Sequence, residues 1–143
     1  METRSWNPTE YISIVGSLRY MAYTRPDITF VVGVVSRFME KPTIKHIKEV
    51  KGILRYVKET MNHGVVYSGR GREIIISGYT DSDLAKDIND RRSTRGMKFY
   101  VNGNLVTWAS QKQRVVALSS SETESIVATM ASCQGIWLCR PLT

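Results

Sequence analysis

Acidic side chains gather in the stretch "IIISGYTDSDLAKD" of a chain that is otherwise strongly basic. The isoleucines at 74–76 predict a β-strand, and Asp81, Asp83 and Asp87 follow within a few positions. A strand fixes a carboxylate firmly because the sheet holds the backbone beside it. Carboxylate oxygens are the ligands that Mg²⁺ and Mn²⁺ prefer. The stretch therefore contains candidate metal ligands.

A second carboxylate that can join Asp81 lies in "SSSETES", where a helix is predicted to begin with a serine cap. Helical phase favours Glu124 over Glu122, because Glu124 shares its side with small residues that let a helix lie close to a sheet. These small residues are Val127, Ala128 and Ala131. Asp81 and Glu124 are thus predicted to hold one divalent ion. In the structural alternative, Asp81 caps a turn and Glu124 stabilises the first helical turn.

Three helices are predicted in the first half of the chain. Asn7 caps the first, ahead of Pro8; Pro26 opens the second; and the third runs from a cap at Thr43 to Gly64. Apolar residues at helical spacing mark the side of each helix that faces the core. They are Ile12, Val15, Leu18 and Ala22 in the first, Ile28, Val31, Val32, Val35 and Phe38 in the second, and Ile47, Val50, Leu54 and Val57 in the third.

After Gly64 the pattern changes to short β-rich runs. They lie at 65–67, 74–79, 96–101 and 105–109. Asn102-Gly103 between the last two is a strong signal for a two-residue hairpin. The final helix is predicted to end shortly before Pro141. The fold class predicted is α+β: N-terminal helices, then three antiparallel strands and a helix.

Charge and composition limit the classes of partner. The 143 residues include 20 Lys and Arg against 13 Asp and Glu, a net charge of +7, of which +6 lies in residues 1–72. This surplus indicates either a polyanion partner such as nucleic acid or a soluble basic surface.

No apolar run approaches the ~18 residues of a spanning helix, so no membrane segment is predicted. Cys133 and Cys139 lie on different faces of the last predicted helix, which favours a reducing, intracellular compartment.

Several ordered blocks of the chain carry a family resemblance. They are "YISIVGSLRYMAYTRPDITFVVGVVSRFMEKP", "LRYVKET", "GYTDSDLAKDINDRRSTRG", "LVTWASQKQRVVALSSSETE" and "IWL". Over nearly its whole length the chain resembles the C-terminal part of copia-type LTR-retrotransposon Pol polyproteins. The resemblance implies that residues 1–72 are the helical region joining polymerase to nuclease. It implies that residues 73–143 are the N-terminal part of a ribonuclease H-like domain.

The resemblance also implies a reaction and its residues. Asp81 matches the family's first metal-binding aspartate, and Glu124 matches its glutamate. Two Mg²⁺ or Mn²⁺ ions roughly 4 Å apart would activate water to cleave RNA in an RNA–DNA hybrid. Arg91, Arg92 and Ser93, with the neighbouring Thr94, either contact a phosphate backbone or hydrogen-bond their own turn. An alternative from another class is a non-enzymatic nucleic-acid-binding module on the basic helix at 44–61, through Lys48, Lys51 and Arg55.

The chain departs from the family pattern in ways that weaken the nuclease expectation. The family's third catalytic aspartate lies on a later strand, and this chain stops at Thr143. Leu84, Lys86 and Ser125 replace the family's usual tryptophan, glycine and aromatic residue. Weak or absent metal binding and an inactive, truncated chain are therefore expected. The apolar side of the last helix is expected to face outward and to favour self-association; its residues are Ile126, Met130, Cys133 and Trp137.

Overall fold

The computed structural model describes residues 7–69, 73–83, 92–113 and 118–142. The chain divides into two compact units, Met1–Val65 and Val66–Thr143. The first contains helices, and the second contains three antiparallel strands followed by a helix. The predicted α+β class is therefore confirmed. The functional division at residues 72 and 73 stays a prediction.

The first unit consists of three α-helices and a short 3₁₀ turn. Their bounds are α1 (Pro8–Met21), the 3₁₀ turn (Pro26–Ile28), α2 (Thr29–Ser36) and α3 (Ile44–Glu59). Asn7 caps α1 as predicted, since its side chain accepts a hydrogen bond of 3.0 Å from the amide of Thr9. Thr43 caps α3 in a capping box that uses His46. The predicted helix end at Gly64 was wrong, because α3 ends at Glu59.

A single apolar core holds the first unit together. Its buried residues are Tyr11, Val15, Leu18, Ile28, Val32, Val35, Ile47, Val50 and Ile53. Three residues of the predicted stripes are exposed instead: Ile12, Val31 and Leu54. Tyr11 replaces its neighbour Ile12 in the core, where its hydroxyl donates a hydrogen bond of 2.8 Å to the carbonyl of Val35. This bond makes burial of the tyrosine possible, since an unpaired buried hydroxyl is costly.

The second unit is a three-stranded sheet with one helix. The elements are β1 (Ile76–Asp83), β2 (Thr94–Val101), β3 (Asn104–Lys112) and α4 (Ser120–Cys139). The strands are antiparallel in the order β1-β2-β3. The hairpin predicted at Asn102 and Gly103 is confirmed, since both residues have positive φ, 51° and 78°. The run at 65–67 forms no strand.

Helix α4 packs on one face of this sheet. Phe99 of β2 is buried beneath it, and Thr123 and Val127 are the buried residues of α4. Ser119 caps α4 by accepting a hydrogen bond of 3.2 Å from the amide of Glu122. Within the described part of the chain, neither α4 nor any other helix has the length and apolarity needed to cross a membrane.

Candidate functional site

Asp81 lies within β1 and not after its end. The predicted strand stopped at residue 79, whereas the ladder with β2 continues to Asp83. Asp81 pairs with Gly96, and Gly96 pairs with Ser110 of β3. The side chain of Asp81 is exposed. The sheet therefore holds the backbone of this aspartate on one side and leaves its carboxylate in contact with solvent.

The ladder also determines the face on which Asp81 lies. Paired residues share a face, and successive residues alternate between faces. Gly78 pairs with Phe99, and a Cβ built at Gly135 of α4 would lie 3.6 Å from the Phe99 ring, so α4 covers this face. Tyr79 lies on the other face, and Asp81 follows it by two residues. The Asp81 side chain is therefore on the face of the sheet away from α4.

Glu124 is carried by α4 and is exposed. Its neighbour Glu122 is used in the helix cap, where its carboxylate accepts a hydrogen bond of 2.7 Å from the amide of Leu118. The small side of α4 faces the sheet largely as predicted: Val127 is buried and Ala131 is half-buried, although Ala128 is exposed. The phase argument thus placed the buried side of α4 correctly, with Glu124 at its margin.

The structure does not bring Asp81 and Glu124 together on one face of the sheet. An ion shared by both would have to lie beyond the outer edge of β1, which is an edge strand among the described residues. No three His, Cys, Asp or Glu side chains in the described ranges lie close enough to hold a metal ion. The carboxylates described thus do not fit a two-metal centre by themselves. Shared metal binding by Asp81 and Glu124 stays a prediction.

The basic turn before β2 is only partly described. Arg91, like Asp87, lies outside the described residues, and Arg92 is exposed. Ser93 is completely buried, and its carbonyl accepts a hydrogen bond of 2.8 Å from the amide of Gln113. For Ser93 this burial favours the second alternative, a role within the turn, over contact with a phosphate.

Gln113, which directly follows β3, is a buried polar residue. It is 3% exposed, and neither atom of its side-chain amide has a hydrogen-bond partner among the described residues. Such groups are rare in folded proteins because burial without a partner is costly. The residue pattern does not predict this burial, since the predicted strand ends at residue 109 and the observed β3 continues to Lys112.

Lys48, Lys51 and Arg55 all lie on the exposed side of α3. Their spacing of three and four residues places them in one row along the helix. The buried residues Ile47 and Val50 lie on a different side of the helix. The structure therefore presents these three cations together, as the spacing predicts.

A polar network around Arg25 was not predicted from the sequence. Arg25 is 8% exposed and holds Asp27 through two hydrogen bonds, of 2.9 Å from Nε and 2.6 Å from Nη2. It also donates to the carbonyl and hydroxyl oxygens of Thr60, at 3.1 and 2.7 Å. Tyr56 donates a further bond of 2.9 Å to Asp27. The hydrogen bonds from Arg25, and then that from Tyr56, lower the pKa of Asp27 from 3.8 to about 2.

Comparison with known proteins shows the family to which this chain belongs. The chain is 41% identical over 141 residues to the "Retrovirus-related Pol polyprotein from transposon RE1" of Arabidopsis thaliana, which aligns with 99% of the chain. It is 47% identical over 131 residues to the corresponding polyprotein from transposon TNT 1-94 of Nicotiana tabacum, which aligns with 91% of the chain. This chain belongs to the copia-type retrotransposon Pol polyprotein family.

This Pol segment spans about one tenth of the length of those two polyproteins (10% of each). It is also 42% identical to the "Secreted RxLR effector protein 161" of Plasmopara viticola, with 90% of each chain aligned. No family model matches the segment. No solved structure matches it either.

The outward side of α4 in this Pol segment carries large apolar residues. Ile136 and Trp137 are 59% and 61% exposed, and Met130 is 40% exposed. Cys133 is exposed as well, whereas Ile126 is half-buried. The expectation of an outward apolar side is thus confirmed for three of its four residues. Self-association through this side stays a prediction.

Proposed function

We propose that this Pol segment includes the beginning of a ribonuclease H domain. Its ancestral role is metal-dependent cleavage of RNA in RNA–DNA hybrids, and the isolated chain does not carry out that cleavage. One observation carries the ancestry: Asp81 lies in the first strand of a strand-strand-strand-helix unit whose helix bears Glu124. This is the order of elements and acids that the family resemblance implies.

The same geometry supports the absence of cleavage. Phosphodiester hydrolysis by two metal ions requires several carboxylates that converge on ions about 4 Å apart. Here the sheet separates the exposed carboxylate of Asp81 from the helix that carries Glu124. Two separated carboxylates leave most of a magnesium shell to water, so tight binding of Mg²⁺ or Mn²⁺ is not expected.

A cleavage assay tests this proposal directly. The purified chain is incubated with a labelled RNA strand paired to DNA, in Mg²⁺ and in Mn²⁺, beside an active ribonuclease H as a positive control. We expect no cleavage above the background shown by Asp81→Asn and Glu124→Gln. Metal-dependent cleavage that Asp81→Asn abolishes would show that the isolated chain is an enzyme.

A second candidate function, non-enzymatic binding of nucleic acid, is favoured by the exposed row Lys48, Lys51 and Arg55. At 1.5 Å per residue the row spans about 10 Å, so its three cations can contact neighbouring phosphates. Each phosphate neutralised on a DNA duplex contributes about 0.9 to the slope of log affinity against log salt concentration. This function requires neither carboxylate.

Neutralising the row is expected to weaken binding to a DNA duplex and to reduce its salt dependence. The variant with Lys48→Gln, Lys51→Gln and Arg55→Gln should lower the slope by about 2 to 3. Fluorescence anisotropy with a labelled duplex at several salt concentrations measures this change. Arg19→Gln combined with Lys41→Gln removes charge elsewhere in the same unit and should leave the slope unchanged. Equal slopes for the triple variant and the original chain would exclude this row as the binding surface.

A further inference from the structure

A groove lies between α2 and α3 of the first unit. Its volume is about 620 Å³, and every residue that lines it lies between Asp27 and Tyr56. Its walls are mainly apolar, and they include Phe30, Val31 and Val34 of α2 and Ile53 of α3. Phe30 and Val31 are 47% and 39% exposed, so a small molecule in the groove would stay largely in contact with water. Two helical walls of this kind are better covered by a third helix.

Gly52 leaves a gap in the α3 wall of the groove that packing within the chain does not use. A Cβ built at Gly52 would meet nothing within 4 Å. Glycine in the middle of a helix is less favourable than alanine, because it loses more conformational freedom on folding. Gly52 thus weakens α3 without making room for a contact within the chain. The missing side chain lets another helix approach the backbone of α3 closely.

Glu49 adds a negative charge to the same groove. It is half-buried, and it has no hydrogen bond or ion pair with another described residue. The carboxylate of Asp27, by contrast, is already paired with Arg25 at 2.6 Å. Burial, and then the charge of Glu49, raise the pKa of Tyr11, whose hydroxyl donates to the carbonyl of Val35. Glu49 therefore lies toward the C-terminal end of α2, where the groove has a carboxylate and no paired cation.

We propose that this groove binds an amphipathic helix of a partner protein, with its backbone close to Gly52 and a lysine or arginine paired with Glu49. Glu49 and Tyr56 are seven residues apart, about 10 Å along α3, so the groove accommodates about two turns of the partner helix. Two turns present apolar side chains at positions i, i+3, i+4 and i+7 to the walls. The site is independent of the proposed nuclease ancestry, because all its residues belong to the first unit.

Fluorescence anisotropy with two labelled helical peptides tests the charge of the partner on the intact chain. Both peptides carry leucine at i, i+3, i+4 and i+7, and one turn beyond the leucines one has lysine and the other has glutamate. The net charge of +6 in residues 1–72 attracts the glutamate peptide, so tighter binding of the lysine peptide requires a local carboxylate. We expect the original chain to prefer the lysine peptide about tenfold and Glu49→Lys to reverse this preference. Glu59→Lys, at an exposed position of α3, is the matched control that keeps it.

Gly52→Leu tests the close approach of the partner helix. The leucine fills the gap, so binding of the lysine peptide should weaken at least about tenfold. The thermal midpoint should rise by about 4 °C, because leucine favours a helix over glycine, and this rise would show that the variant is folded. Gly16→Leu on α1 is the matched control, since a Cβ there also meets nothing within 4 Å. It should raise the midpoint similarly and leave peptide binding within about twofold.

Three results would overturn the proposal. The first is unchanged binding of the lysine peptide by Gly52→Leu. The second is the absence of peptide binding by the original chain, because the groove would then be closed to a partner. The third, measured by sedimentation, is a dimer of the original chain that Gly52→Leu dissociates, because a second copy of the chain would then occupy the groove.

Discussion

Replacing Arg25 with alanine is expected to lower the free energy of unfolding of the helical unit by about 3 kcal/mol. The substitution removes two hydrogen bonds to Asp27 and two to Thr60, and it leaves the Asp27 carboxylate without its cation. Breaking a buried ion pair from one side costs about 3 to 5 kcal/mol. The lower end applies here because the Asp27 side chain is 34% exposed, so water screens its charge.

The two hydrogen bonds from Arg25 to Thr60 are a second reason for the expected loss of stability. Thr60 is the C-cap of α3, and its carbonyl accepts one hydrogen bond from the amide of His63, at 3.0 Å, and a second from Arg25, at 3.1 Å. Arg25 thus adds a charged donor at this helix end and places positive charge where the helix dipole favours it. Urea unfolding followed by the helical circular dichroism signal measures the change. Arg19→Ala, at an exposed position of α1, should change stability by less than about 0.5 kcal/mol. A similarly small change for Arg25→Ala would contradict the structure.

The pH dependence of stability is a second test of the hydrogen bonds between Arg25 and Asp27. The pKa of Asp27 is about 2 in the folded chain and 3.8 when unperturbed, so the unfolded chain binds more protons between these values. The contribution of Asp27 is therefore complete above pH 3.8 and is lost as the pH falls toward 2. Acidification from pH 5 to pH 2.5 should cost the original chain more stability than it costs Asp27→Asn.

The helix starts and the hairpin were predicted correctly from the sequence, because the contacts that form them join residues close together in the chain. Asn7 ahead of Pro8 predicted the start of α1, and Asn102-Gly103 predicted the hairpin. A serine cap was predicted for α4, and the structure shows that the cap is Ser119. Each depends on contacts within a few residues of the chain, so a short window of sequence contains the whole interaction.

Packing could not be predicted with the same accuracy because its partners are distant in sequence. Ile12 and Tyr11 both fit an apolar stripe along α1. The tyrosine can be buried because its hydroxyl donates a hydrogen bond to the carbonyl of Val35, which is 24 residues away in the sequence. The acidic end of β1 suggested a turn, yet pairing with Thr94 extends the strand through Asp83. Tertiary pairing here outweighs the low β-propensity of aspartate.

Asp81 and Glu124 could be identified from the sequence as the acids of the candidate site. The sequence could not show whether they lie on the same face of the sheet. Alternation along β1 shows that Asp81 and Gly78 lie on opposite faces. It does not show which of those faces a helix covers. That choice depends on the Phe99 ring, which lies against Gly78 on β1 and toward Gly135 on α4. The absence of a Cβ at Gly78 thus leaves the space that the Phe99 ring occupies beneath the helix that carries Glu124.

Substituting Gly78 with alanine is expected to destabilise the sheet unit by about 2 kcal/mol. A Cβ at this position would lie 2.6 Å from Cε1 and 3.0 Å from Cδ1 of the Phe99 ring. The ring is 4% exposed and lies beneath α4, so it cannot turn away into solvent. Either β1 or α4 must shift, and overpacking of this kind costs about 1 to 3 kcal/mol.

Gly135→Ala provides a matched control with the opposite expected sign. Its Cβ would lie 3.6 Å from the same Phe99 atom, an ordinary van der Waals contact, and alanine favours a helix over glycine by about 1 kcal/mol. Gly96→Ala on β2 is a second control, because its Cβ meets no atom within 4 Å. Thermal unfolding should therefore rank Gly135→Ala above the original chain and Gly78→Ala well below it. Equal midpoints for Gly78→Ala and Gly96→Ala would show that the Phe99 ring does not fix α4 against this face of the sheet.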